Sequence, residues 1–428
     1  MKILCSGDLH LGRYPTRLPA GVPRESASVS ERWLAMVELA IEEGAEVVAL
    51  SGDLVDRANR YFEAFGPLEE GLRRLGEAEI VTVAVAGNHD FDVLPRLARS
   101  LPAERFRLLG EGGQWEREVV RTRRGEELEV HGWSFPAEQF VGDPLQGYGL
   151  EADEGCPVLG LAHCEVDGWR SRYGPVSARA LRARPPGFWL LGHIHQPRLL
   201  EEAGAGALLY PGTPQPLDPG EPGPHGVWWV ETEEDRFGEP EFRPLATVRY
   251  EAVDVDVDGA QTVGEVQARL LDAVTEERDQ TMEGAGVRPS WLSIHARLTG
   301  RTRVAQRAIE AEVSAHIGDL ELGGEARCRV DRIDIATLPR LELEELARGG
   351  DATGHLAELL LRLDSSLPEV AALVEKSGAA AERVVRSSAY LPLRARAAGA
   401  PPLPEAAEVL RRQAYRLLEE LVVQKENV

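Results

Sequence analysis

Asp8-Leu9-His10, Gly52-Asp53-Leu54-Val55-Asp56, Gly87-Asn88-His89-Asp90, His163 and Gly192-His193-Ile194-His195 follow one another along the chain, each at the end of a short aliphatic segment. The segments 2–6, 46–51, 80–86, 158–163 and 188–192 are bounded by Gly, Asp and Ser and read as buried strands. Amphipathic stretches separate the first three. Residues 31–43 put Trp33, Leu34, Val37, Ala40 and Ile41 on one helical face, with Ser28 and Glu31 at capping-box spacing and Gly44 as the stop. Residues 61–75 present Phe62, Phe65, Leu68, Leu72 and Leu75 in the same way. Further strands are expected at 128–133, 207–210 and 226–231. Alternating strands and helices predict an α/β fold whose polar motif residues collect at the carboxyl edge of the strands.

Those residue types at those spacings are suited to holding metal ions. Asp8 and His10, two apart at a strand end, project to one side and can chelate one cation. Asp53 can bridge two cations, and Asn88 adds a neutral amide oxygen. His163, His193 and His195 bring imidazoles, which makes seven ligands for two divalent ions. Two such cations activate water and clamp the attacking and leaving oxygens of a phosphoester. The mixed O/N donor set suits Mn²⁺, with Fe or Zn as alternatives. His89, between a ligand and an acid, has the place of a general acid that protonates the departing alkoxide. Asp56 is expected to hold the imidazolium form of His89. His131 is expected in the core or around the ligands. His225, His295, His316 and His355 receive no role.

Composition narrows the function class. The chain has 428 residues, 71 acidic against 48 basic, and a net charge of −23. That length predicts two or three domains. The charge argues against a free-standing, high-affinity DNA binder, since neutralising phosphates takes Lys and Arg. It leaves nucleic acid open as a substrate held by metals and a local basic loop, for which residues 11–30 with Arg13, Arg17 and Arg24 are a candidate. Four cysteines without framework spacing predict reduced thiols, and a first strand starting at Lys2 predicts no leader, hence a cytoplasmic protein. No apolar run is long enough to span a membrane. Cys164, next to His163, is expected to be a buried thiol. Asp254-Val-Asp256-Val-Asp258-Gly259 with Glu265 has the spacing of a calcium loop, but Val253, Val255 and Val257 alternate as in a strand, and the strand reading is preferred.

Residues 1–245 form the predicted metal-bearing domain. Residues 246–338 read as a small α+β unit, with strands at 248–257, 291–298 and 326–335 and helices at 263–276 and 304–316. Residues 339–428 are helical. The last segment carries a stripe of Ala407, Val409, Leu410, Tyr415, Leu417, Leu418, Leu421 and Val422, part of which should need a partner surface.

Gly7-Asp8-Leu9-His10-Leu11-Gly12, Gly192-His193-Ile194-His195-Gln196-Pro197 and Tyr210-Pro211-Gly212-Thr213-Pro214-Gln215 together resemble the calcineurin-like metallophosphoesterases, and within them the SbcD-type DNA repair exonucleases. The resemblance implies a four-layer αββα sandwich, a small α+β capping domain and C-terminal helices. It implies Mn²⁺-dependent exo- and endonuclease activity on DNA and a homodimer. It also implies docking of the C-terminal helices on an SMC-like ABC ATPase of the SbcC type. Some members of that family carry histidine where this chain has Asp56. Two other functions remain open: a small-molecule phosphodiesterase or phosphatase with the same metal chemistry, and a non-catalytic, metal-bound scaffold for an ATPase.

Overall fold

The computed structural model describes residues 1–19, 21–56, 62–101, 106–200, 206–283, 288–313, 321–322, 326–363, 368–385 and 406–426. Strands β1 (Lys2–Ser6), β2 (Val47–Leu50), β3 (Val81–Ala84) and β4 (Phe106–Leu108) lie parallel in that order. Next come β5 (Glu116–Arg121), β6 (Glu127–Trp133) and β7 (Val158–His163), then the short pair β8 (Glu165–Val166) and β9 (Pro175–Val176). After β10 (Phe188–Gly192), β11 (Arg198–Leu199) and β12 (Ala207–Tyr210), the chain returns through β13 (Gly226–Glu233), β14 (Arg236–Phe237) and β15 (Glu241–Pro244).

Two mixed sheets result. The first has the order β14-β13-β1-β2-β3-β4, with β15 also on β13, and the second β11-β12-β10-β7-β6-β5. The two-residue period of the strands decides what each face meets. Ile3, Cys5, Val47, Ala49 and Val83 share one apolar layer with Val130, Leu159, Leu161, Phe188, Leu190 and Leu209 of the other sheet. Leu4, Val48, Leu50 and Ala84 face the opposite way, onto helices α1 (Val29–Glu42) and α2 (Phe62–Glu77) through Trp33, Met36, Val37, Leu68 and Leu72. The outer face of the second sheet is covered by Trp133, Phe135, Leu145, Tyr148, Leu181, Trp189 and Tyr210. This is an α/β sandwich of the expected layering.

Several predicted boundaries move. Helix α1 begins at Val29 because Ser28 itself is the N-cap, its hydroxyl accepting from Glu31 N at 3.4 Å. The helix expected at 263–276 continues to Glu283, and the one expected at 304–316 is Gln306–Glu312, with residues 314–316 outside the described set. Strands β4 and β5 were not anticipated: β4 is three residues long and β5 is rich in Glu and Arg.

The described residues divide into two compact units, Met1–Ala252 with Glu276–Ile294 and Glu321–Asp331, and Val253–Thr275 with His295–Leu320 and Arg332–Val428. In the second, Asp254 and Asp256 lie on the strand Val248–Asp256, with Val255 and Val257 buried. Their neighbours serve as caps: Asp258 Oδ1 accepts from Arg301 N at 2.9 Å and Glu265 Oε2 from Gln261 N at 2.9 Å. The segment enters as a strand, not as the helix a calcium loop follows. The helix Ala406–Glu426 buries Tyr415 and Leu418 among Leu343, Ala357 and Leu360, while Leu417 stays half exposed. Part of the predicted stripe is therefore internal packing. No helix among the described residues is long and apolar enough to cross a membrane.

Candidate metal centre

Strand register sets the site. Ser6, Leu50 and Ala84 end in line on the first sheet, and His163 pairs with Gly192 on the second. The residues just past these ends therefore meet at one edge of the sandwich. The backbone there is forced into an uncommon shape. Asp8, His10, Asp53 and His193 adopt left-handed φ values of 48°, 51°, 52° and 98°, each at a cost of about 1–2 kcal/mol for a residue with a Cβ. Hydrogen bonds between the two loops offset this, Asp8 N donating to Gly52 O and His10 N to Asp53 O, both at 2.9 Å. Glycine is required beside them: a Cβ on Gly87 would lie 2.1 Å from Asp53 Oδ1.

The histidine tautomers follow from their outer partners. His195 Nδ1 lies 2.7 Å from Glu221 Oε1, and His163 Nδ1 lies 3.0 Å from the Ser51 carbonyl. Each Nδ1 is placed to donate to that oxygen, which turns the Nε2 lone pair of the neutral ring towards the site. His10 Nδ1 faces the Asp56 carboxylate at 3.4 Å, which favours the same tautomer. Yet His10 Nε2 and His195 Nε2 face one another at 3.0 Å. His163 Nε2 faces Asn88 Oδ1 at 3.0 Å and Asp53 Oδ2 at 3.5 Å. With neutral rings in these tautomers, acceptor opposes acceptor in both places. Such contacts are repulsive unless a cation lies between them, and the donor set fits divalent metals.

Asp8, His10 and His195 form one group able to hold a cation, and Asp8, Asp53 and His163 a second. The ring of His193 lies 5.5 Å from that of His163 and tilted against Tyr173 at 4.5 Å, while its Nε2 is 3.8 Å from Glu165 Oε2. Its backbone N donates to Asp8 Oδ1 at 3.0 Å. Burial pushes His10 down to about 4 and His193 down to about 3, so both are neutral and need release no proton to bind a metal. Burial would raise the Asp53 carboxyl, but the facing histidines His163, His10 and His89 hold it below its ordinary value.

His89 sits at the rim, its side chain one-third exposed, its ring edge-on to His10 at 4.7 Å and its backbone N on Asp53 Oδ1 at 2.7 Å. Burial would lower its pKa, but the Asp56 and Asp53 carboxylates raise it above the ordinary histidine value. Asp56 Oδ1 stands 3.7 Å from His89 Nδ1 as well as 3.4 Å from His10 Nδ1. It faces two rings rather than the single one expected.

Two carboxylates had no role in the sequence reading. Asp90 accepts from Gly87 N at 2.7 Å, Leu54 N at 2.7 Å and Val55 N at 3.2 Å, tying two site loops together. It was visible only as the last letter of Gly-Asn-His-Asp. Glu221 orients His195 from a Pro/Gly-rich loop, where one acid among turn residues carries no signal. That loop is held by His225, whose ring nitrogens face Thr213 O at 2.9 Å and Glu221 O at 3.2 Å. His131 is a core residue, bonded to Glu129 at 2.6 Å and to Tyr148 Oη at 2.5 Å. Cys164 is buried in the outer apolar layer, its thiol pushed up by burial.

Residues 1–197, the stretch that holds every motif above, match the calcineurin-like phosphoesterase family. Over that stretch the chain is similar to a calcineurin-like phosphoesterase domain. For this chain the family implies a phosphoester hydrolase with a two-metal centre. An uncharacterized metallophosphoesterase, YhaO, of Bacillus subtilis is 26% identical over 278 residues, 63% of this chain and 66% of that protein, so the chain spans just under two thirds of it. A DNA double-strand break repair protein, Mre11, of Methanopyrus kandleri is 25% identical over 369 residues, 81% of this chain and 80% of that one. Among solved structures, a dimetal phosphatase from Danio rerio is 13% identical over 56% of this chain and 98% of its own, with a TM-score of 0.36. The calcineurin-like phosphoesterase YfkN of Bacillus subtilis is 12% identical over 66% of this chain and 98% of its own, with a TM-score of 0.33.

Proposed function

We propose that the chain is a nuclease subunit that hydrolyses DNA phosphodiesters with two divalent metals, most readily Mn²⁺. Asp8, His10, Asp53, Asn88, His163, His193 and His195 hold the metals in this reading. What supports DNA over a small phosphoester is the reach of one similarity. The likeness to the Mre11 protein covers 81% of the chain, more than residues 1–197 that the phosphoesterase family matches. An enzyme for small phosphoesters has little use for a shared architecture on that scale.

The metals supply an activated water and neutralise charge on the phosphate. The chain's own residues do the rest. Glu221 and the Ser51 carbonyl fix the tautomers of His195 and His163. Asp90 holds the Gly87 and Leu54 loops in register. His89, kept protonated by Asp56 and Asp53, gives its proton to the departing 3′ or 5′ oxygen. The C-terminal segment 339–428 docks on an SMC-like ATPase, and two copies of the chain work together.

The test is cleavage of a short duplex with frayed ends, with Mn²⁺ and no partner, beside bis(p-nitrophenyl) phosphate. The reading expects both to be cut and a chelator to stop both. Hydrolysis of the nitrophenyl diester with no cleavage of any DNA would leave a phosphoesterase of another substrate class.

A further inference from the structure

Beyond the metal-binding edge, one loop combines an exposed aromatic ring, a guanidinium laid over that ring and a rigid mounting. Trp169 is 77% exposed, the guanidinium of Arg170 lies over its ring at 4.1 Å, and Val141, 73% exposed, belongs to the segment bridged to Tyr173 through Phe140. The loop is closed by strands β8 and β9 and by Asp167 N on Val176 O at 2.8 Å. Phe140 N on Arg172 O and Gly174 N on Phe140 O, each at 2.8 Å, fix its outer side. Tyr173, four residues on, packs tilted against His193 with ring centroids 4.5 Å apart. The tryptophan is thus displayed by a braced loop whose Tyr173 touches a histidine of the metal-binding edge, where a folded chain would ordinarily bury it.

Charge says what it displays the ring to. The loop 165–176 holds Arg170 and Arg172 against Glu165 and Asp167 and so carries no net charge, in a chain of net −23. A chain this acidic gains little from long-range attraction of phosphates. Base stacking needs no net charge and is indifferent to base sequence.

We infer that Trp169 is a stacking platform for an unpaired nucleobase next to the scissile phosphodiester, with Arg170 behind the ring and Arg172 on the adjoining phosphate. This rests on the nuclease reading and adds to it a preference for frayed or single-stranded ends.

The test uses the full chain with W169A and W169F. One assay follows Mn²⁺-dependent cleavage of a short single-stranded oligonucleotide against bis(p-nitrophenyl) phosphate. The other follows anisotropy of the labelled oligonucleotide in chelator. W169A should lower the ratio of oligonucleotide to nitrophenyl specificity constants about tenfold or more, through KM. W169F should recover most of it, and an abasic residue at the susceptible end should cost the wild type about as much and W169A nothing more. An unchanged ratio, or equal losses on both substrates, overturns the platform while the nuclease reading stands. If the wild type binds the oligonucleotide through Trp169 without cutting it, the platform stands and the nuclease reading falls. If the wild type neither binds nor cuts, both fall.

Discussion

Asp56 is the residue whose neighbours divide two roles most sharply. Its carboxylate serves His10, a candidate ligand, and His89, the candidate acid, at 3.4 and 3.7 Å. The two substitutions should therefore differ in kind. His89→Ala should leave metal content intact and lower turnover by about 10²–10⁴-fold, with a smaller loss on a nitrophenyl leaving group that needs no proton. Asp56→Asn should lower turnover and weaken metal binding together, because His10 loses the partner that favours its tautomer. Metal titrations alongside kinetics on both substrates separate the cases; a D56N enzyme with wild-type metal affinity would confine Asp56 to His89. At this scale the sequence was informative about the first layer of the site. Residues such as Asp8, His10 and His163 stand at strand ends with spacings that bring them together. Glu221 and Asp90 act through other groups, so their meaning exists only once the chain has folded and neither has a spacing that reveals it.

Among the elements, β5 and β6 were read unequally for a physical reason. β6 alternates apolar residues and was expected, whereas β5 (Glu-Arg-Glu-Val-Val-Arg) is held to it by charged pairs that hydrophobic periodicity does not see. At the centre of that hairpin Glu129 is buried and accepts from Arg117 Nε at 2.7 Å, Arg117 Nη2 at 3.0 Å, Asp153 N at 3.0 Å and His131 Nε2 at 2.6 Å. Burial would raise its pKa, but these donors bring it to about 2. A depressed carboxyl stabilises the fold above its ordinary value of 4.5 and loses that contribution as pH falls towards 2. Glu129→Gln should cost roughly 2–3 kcal/mol at neutral pH, less than a fully buried pair because Arg117 is one-third exposed. The gap in denaturation midpoint between wild type and variant should close as pH drops below about 4. A gap independent of pH would mean that shape rather than charge holds the hairpin.

For the whole molecule, the acidic surface and the C-terminal helices raise the question of a partner. The apolar stripe on the last helix was legible, but its division was not: Tyr415 and Leu418 turn inward on Leu343 and Leu360, and Leu417 turns outward. Periodicity marks which residues share a face and is silent on whether another part of the same chain covers it. Under the proposed reading Leu417→Glu should abolish association with the ATPase and leave partner-free hydrolysis as it was. Leu418→Glu should instead lower the unfolding temperature of the helical cluster, since it places a charge at a fully buried position. Co-purification and thermal unfolding of the two variants decide this; full ATPase stimulation of L417E would remove that face from the interface. A shared two-metal centre is a matter of counting metals. After loading with Mn²⁺ and removal of free metal, elemental analysis should find two ions per wild-type chain and neither firmly held in Asp53→Ala. Two tightly bound ions in that variant would contradict the account.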